Sequence, residues 1–190
     1  MLAATPLPTL QGPRITLRAM QAADITDTHV GWLNDPEVVR HSNQRFVHHT
    51  LASSLRYLHS FEGSANLYAS VRWHAGEGEG DRAIGTLTAY RSLHHGTADI
   101  GILMGDRATW GQGLGLEAFV LLADWLAAQP GMRKLTCGTL ACNHGMLKIA
   151  QRAGFVREAV RVGQELVDGQ PTDIVYFARF VSQPHAPANP

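Results

Sequence analysis

The chain of 190 residues is 45% hydrophobic and 17% charged, the balance of an ordinary globular protein, which excludes a disordered or fibrous one. Lys plus Arg and Asp plus Glu both number 16, so the formal charge is zero and no general electrostatic pull toward nucleic acid or an anionic membrane follows. The length favours a single domain with one core. The longest strongly apolar stretch, 118–123, is closed by Asp124, far short of the roughly 20 residues that span a bilayer.

The N-terminus carries two prolines and neither the basic leader nor the long apolar block of a secretory signal, so a cytoplasmic protein is expected. Cys137 and Cys142 match no metal-ligand or redox pattern and make no disulfide framework. Arg14 to Arg18 alternates polar and apolar residues and reads as the first strand. Asp24 is placed to cap a helix over 24–34, which Asn34-Asp35-Pro36 stops because the residue before proline avoids the α region. A basic, His-bearing loop follows, then a helix from Thr50 to Phe61 with Leu51, Leu55, Leu58 and Phe61 on one face.

Asn66 to Trp73, Ala83 to Tyr90 and Thr97 to Met104 read as three successive antiparallel strands, the first two joined across the flexible Gly76–Gly80 turn. Glycine-rich sequence from Gly105 to Gly115 opens a long apolar helix that runs to Ala128 and must be largely buried. Lys134 to Leu140 reads as a central strand. Asn143 caps a helix to Ala153, and Gly154 suits the residue just past its end. Strands 155–167 and 172–180 flank the turn Asp168-Gly169, and the tail 182–190 is expected to be disordered.

The informative segment is Trp110-Gly-Gln-Gly-Leu-Gly-Leu116, between a strand and a helix. A helix start presents unpaired backbone N–H groups and the positive end of the helix dipole, and glycines let an anion approach them. The plain alternative is that these glycines only make a tight turn. A P-loop needs Lys and Ser or Thr after the last glycine, where Leu116-Glu117 stand instead. Gly113-x-Gly115-x-x-Ala118 fits the dinucleotide fingerprint, but the next strand lacks its ribose-binding acid and the preceding strands look antiparallel.

The pattern Trp110-Gly-Gln-Gly113-Leu-Gly115 resembles the pyrophosphate loop of the GCN5-related N-acetyltransferase superfamily, with Trp110 at a position more often Arg or Gln, as in the branch holding the ribosomal-protein alanine acetyltransferases. Trp32-Leu-Asn-Asp-Pro-Glu-Val38, Ala98-Asp-Ile-Gly101 and Asn143 with Gly154-Phe155 extend the resemblance. It implies an α+β fold with a mixed, mostly antiparallel twisted sheet of about seven strands and helices on both faces. It implies an N-terminal extension at 1–13, the acetyltransferase domain at 14–181 and the tail at 182–190. Acetyl-CoA would sit where two central parallel strands splay apart, held by backbone groups of Ile102, Leu103 and Met104, by the amides of Gln112, Gly113, Leu114, Gly115 and Leu116, and by Asn143.

The implied reaction is direct attack of a primary amine on the thioester, without a metal. The amine needs a base, for which Asp99 is the candidate because strand alternation puts it on the face of Gly101 and Leu103. The alternative for Asp99 is an ordinary strand-end carboxylate. A strand amide near Leu103 would hold the oxyanion. The acid for the leaving thiolate is missing, since Met146 stands where Ser is frequent and cannot donate a proton; His144 is a possible substitute. The first two helices and their joining loop, with Asn34, Asp35, Glu37, Arg45 and His48, would shape the acceptor pocket, Arg45 by binding a phosphate or carboxylate, against the alternative of a helix stop and a surface residue. The neutral charge argues against strongly basic ribosomal substrates, which leaves a small molecule such as an amino sugar or amino acid as the expected acceptor. A protein N-terminus, a non-catalytic acyl-CoA sensor and a nucleotide-dependent oxidoreductase are the rival readings, and a homodimer is left open.

Overall fold

The computed structural model describes residues 4–74 and 81–181; the expected Gly76–Gly80 turn and the tail 182–190 lie outside them. Eight strands form one sheet in the order β1-β2-β3-β4-β5-β6-β8-β7: β1 Leu10–Gln11, β2 Ile15–Ala19, β3 Leu67–Trp73, β4 Arg82–Ser92, β5 Thr97–Met104, β6 Lys134–Leu140, β7 Val156–Val167 and β8 Gln170–Phe180. Every neighbouring pair is antiparallel except β5 and β6. This is one strand more than expected. The extra one, β1, lies in the 1–13 extension, where Leu7 is also buried in the core.

Adjacent residues of β3 serve different cores because side chains alternate across a sheet. Ala69 joins the large core under α4 (Leu114–Ala127) and α5 (His144–Arg152), where Phe119, Leu122 and Leu126 are fully buried. Tyr68 joins a small cluster with Met20 and Ile25 on the other face, packed by Leu55, Leu58 and Phe61. The last three come from α3 (Leu51–His59) and the turn after it; α1 (Asp27–Asn34) and α2 (Pro36–Val39) precede it. Thr50 caps α3 as expected, its hydroxyl accepting from Ser53 N. The hairpin turn of β7 and β8 is the expected Asp168-Gly169, with φ of +50° and +76°, the left-handed pair a two-residue hairpin needs.

Two local expectations fail. Thr26, not Asp24, caps α1, accepting from His29 N. Asp24 ends a short 3₁₀ turn, and its carboxylate takes Arg18 at 2.6 Å and Arg72 at 3.6 Å, clamping β2 and β3. Burial works against that carboxylate, but the bonds from Arg18 and the Gln21 amide, with the two guanidinium charges, hold its pKa below the usual range. The expected loop after Pro36 is partly helical. Asp35 ends α1 and caps α2, with Pro36 at the first helical position, where a missing N–H costs nothing.

Trp32 fixes where α1 sits on the sheet. Its ring lies against Gly105, at the end of β5, so closely that a Cβ there would come within 2.1 Å of it. Gly105→Ala therefore forces α1 off the sheet; we expect a loss of about 1–3 kcal/mol in urea unfolding, with a changed near-UV tryptophan dichroism.

Candidate active site

The parallel pairing of β5 and β6 stops early: Thr97, Ala98 and Asp99 face Lys134, Leu135 and Thr136, and no pair follows. Past this vertex the strands diverge around a cavity of about 860 Å³, lined by residues 100–104 of β5 and by Gly138 and Thr139 of β6. The amide of Gly105 donates to Ile84 O at 2.9 Å. By strand alternation the amides of Leu103 and Gly101 also turn toward β4, and those of Ile102 and Met104 turn to the splayed side. The amides near Leu103 that face the open edge are thus those of its two neighbours, Ile102 and Met104.

The glycine loop closes one end of the cavity. Gly113, at φ +80°, is the N-cap of α4, and the first helical bond runs from Glu117 N to Gly113 O, so the amides of Leu114, Gly115 and Leu116 have no helical partner. Gly111, Gly113 and these three residues line the cavity, whereas Gln112 does not. Gln112 turns outward, and its carbonyl accepts from Arg14 Nη1 at 3.0 Å.

Three side chains hold the loop: Trp110 of the glycine motif, and Glu117 and Arg14 outside it. Glu117 accepts from the backbone of Arg14 at 2.7 Å and of Ile15 at 3.1 Å, and from Arg14 Nε at 2.9 Å. Arg14 thus ties β2 to both ends of the loop. The Trp110 indole donates to Met104 O at 2.9 Å, tying the loop back to β5. The only signal in the sequence was an acid in the first turn of α4; its partner lies 103 positions away.

Asp99 stands at the vertex, outside the cavity lining, with Thr136 Oγ1 donating to it at 2.6 Å. Protein crowding around the carboxyl raises its pKa, against the Thr136 bond. Asn143 lines the cavity, but its side chain is engaged: Oδ1 caps α5 through Met146 N at 3.1 Å and Nδ2 donates to Thr139 Oγ1 at 3.0 Å. Asn34, Asp35 and Arg45 do not line the cavity. Asn34 exchanges two bonds with the His49 backbone, Asp35 caps α2, and Arg45 reaches Glu165 at 3.7 Å and the Leu166 carbonyl at 3.1 Å. Among the described residues no group of three or more His, Cys, Asp or Glu is placed to hold a metal ion, and no helix is long and apolar enough to cross a membrane.

The family of GNAT acetyltransferase domains matches residues 14–156. The chain belongs to that family. Solved structures agree on the fold. A GNAT-family acetyltransferase from Bacillus anthracis superposes with a TM-score of 0.75 at 14% identity, covering 91% of this chain and 98% of its own. Spermidine N-acetyltransferase from Vibrio cholerae, solved with CoA and spermine, gives 0.75 at 16%, covering 90% and 97%. The ribosomal L7/L12 alpha-N-protein acetyltransferase RimL, in complex with coenzyme A, gives 0.73 at 17%, covering 90% and 96%. No curated protein matches the sequence.

On the α1 side of this acetyltransferase, His29 is buried and its Nε2 lies 3.4 Å from Tyr68 Oη. Burial lowers the His29 pKa; the Asp24 charge opposes this and His49 adds to it. Burial likewise pushes Tyr68 up to about 12, so its hydroxyl stays protonated. A histidine depressed on folding binds fewer protons folded than unfolded, so stability falls as pH drops below the unfolded value near 6.5. We expect the urea midpoint to fall between pH 7 and pH 5.5, less steeply in His29→Leu. Glu117→Ala leaves two amides without their acceptor and should cost about 1–3 kcal/mol at either pH.

Proposed function

We propose that this enzyme transfers an acetyl group from acetyl-CoA to a primary amine on a small molecule. The observation that carries this reading is the meeting, on one cavity, of the splayed β5 edge and the glycine-capped start of α4. The amides of Leu114, Gly115 and Leu116 fit a diphosphate, with no Cβ at Gly113 or Gly115 to obstruct it. The open edge of β5 suits the amide groups of a pantetheine arm, which would pair with Ile102 and Met104 as a strand does. The two cysteines are unpaired thiols, which suits a cytoplasmic setting.

In this reading the amine nitrogen attacks the thioester carbon, forming the N–C bond; the C–S bond then breaks and CoA leaves as thiolate. An Ile102 or Met104 amide, fixed before reaction, donates to the oxyanion. Met146, buried beside the cavity, offers no proton, so the thiolate takes one from water or from the amine. Asp99 is a poor fit for the base, because Thr136 holds it away from the cavity lining.

Thiol release from acetyl-CoA across a panel of glucosamine, serinol, serinamide and spermidine tests the function. Turnover of at least one amine is expected; calorimetric binding of acetyl-CoA with no turnover would point to a sensor instead. Gly113→Val forces a branched side chain into left-handed backbone, and we expect KM for acetyl-CoA to rise about tenfold, or ~1.4 kcal/mol. Asp99→Asn should lose far less than the roughly 10²–10⁴-fold that removing a general base costs, across pH 6 to 9.

A further inference from the structure

Three buried polar atoms have no hydrogen-bond partner among the described residues: His29 Nδ1, His49 Nε2 and Ser54 Oγ. All three residues line the cavity, and His29 and Ser54 are only 2% and 3% exposed. The contact of α1 with α3 and the two Asn34–His49 bonds bring them to the same end. Unpaired buried polar atoms are costly and rare in folded chains. Three of them on residues that line one hollow mark a place where a ligand could complete the bonding.

The surroundings define what kind of ligand. Tyr57, Tyr68, Thr86 and Thr88 complete this end of the lining, so its polar groups are hydroxyls and imidazoles. Tyr57 Oη is shared with Tyr90 Oη at 2.7 Å, and Tyr68 Oη with His29 and Thr86. Among the described residues Glu37 is the sole carboxylate in the cavity lining, and it pairs with Arg40 at 3.6 Å. The Asp24 carboxylate, which acts on His29 from outside the lining, is already held by Arg18 and Arg72. Asp99, opposite Tyr90, lies outside the lining and is bonded by Thr136, so a second ammonium here would lose its water for little counter-charge. A purely apolar amine would leave the three unpaired atoms as they are. The pairing of Thr86 with Leu103 and of Thr88 with Gly101 sets this corner beside β5.

We propose that His29, His49 and Ser54 form the acceptor subsite, and that it selects a monoamine carrying hydroxyl groups, an amino sugar or amino alcohol. This rests on the reading that the chain acetylates amines. A hydroxyl both donates and accepts, so it can satisfy a neutral imidazole nitrogen in either tautomer and the Ser54 hydroxyl together.

The test uses matched pairs: glucosamine against cyclohexylamine, and serinol against isopropylamine, with spermidine as the polycation. With acetyl-CoA saturating, kcat/KM should favour each hydroxylated amine over its apolar match at least tenfold, and over spermidine. Ser54→Ala and His49→Leu should each collapse that preference, mainly through KM for the amine, with KM for acetyl-CoA unmoved. The melting temperature of Ser54→Ala should match or exceed that of the parent, since it removes an unpaired hydroxyl; a structural role would lower it. Equal rates within each pair, or a preference for spermidine, overturns the proposal. Calorimetry of glucosamine and serinol on the CoA-loaded protein separates the two readings. Binding that Ser54→Ala abolishes, with no turnover of any amine, defeats the transferase reading and supports the subsite. Turnover of other amines with neither hydroxylated amine bound defeats the subsite alone.

Discussion

The parallel pairing of β5 with β6 ends at Asp99 and Thr136, and the rest of the site exists because it ends there. Each strand remains fully paired on its outer side, β5 with β4 as far as Met104 and β6 with β8 as far as Leu140. Both strands therefore follow their outer partners while the gap between them widens. The Thr136 bond to Asp99 closes the last rung. Opening a sheet in its middle exposes main-chain groups that must find partners. Trp110 supplies one for the Met104 carbonyl. The edge groups of Ile102 are left for a substrate that can imitate a strand.

The glycine loop would be useless if it were loose. A helix start binds anions only when its amides hold their direction, and the left-handed Gly113 gives no side-chain cap to fix it. The Arg14–Glu117 pair takes over that task from outside. Half of the Arg14 side chain is exposed, so its charge interaction is worth little by itself. The Glu117 carboxylate is mostly covered and also holds the amides of Arg14 and Ile15, so it registers β2 against α4 through bonds that solvent screens poorly. The same acid sits in the first turn of α4, where the helix dipole favours negative charge.

What could be read from the sequence was what depends on neighbours in the chain. The three antiparallel strands, the α4 start, the Thr50 and Asn143 caps and the Asp168-Gly169 turn are all set by spacing or by local backbone preference. Asp24 was misread because its local signal, an acid ahead of a helical pattern, was overridden by two arginines on different strands. Asn34, Asp35 and Arg45 were assigned to an acceptor pocket by position, yet each is used up in holding α1, α2 or the β7–β8 hairpin together. His29 and Ser54 gave no signal, since burial without a partner is a property of packing. Which amides near Leu103 face the open edge depends on the register of β5 with β4, and no pattern in β5 reveals that.

Charge divides the cavity lining in a way that fits two substrates of different character. Arg40 and His41, just after α2, line it, as do Lys148 and Arg152, one turn apart on α5; burial and the neighbouring cations lower the His41 pKa, as expected where positive groups gather. At the end under α1 and α3 burial lowers the His29 pKa and raises those of Tyr57 and Tyr68, which disfavours the charged form of each. A low-dielectric wall strengthens every charge interaction near it, so an anion gains most beside the basic rim and loses most in the neutral corner. In the proposed reaction acetyl-CoA would lie toward the basic rim and the amine toward the less charged corner, and the two would meet at the β5 edge.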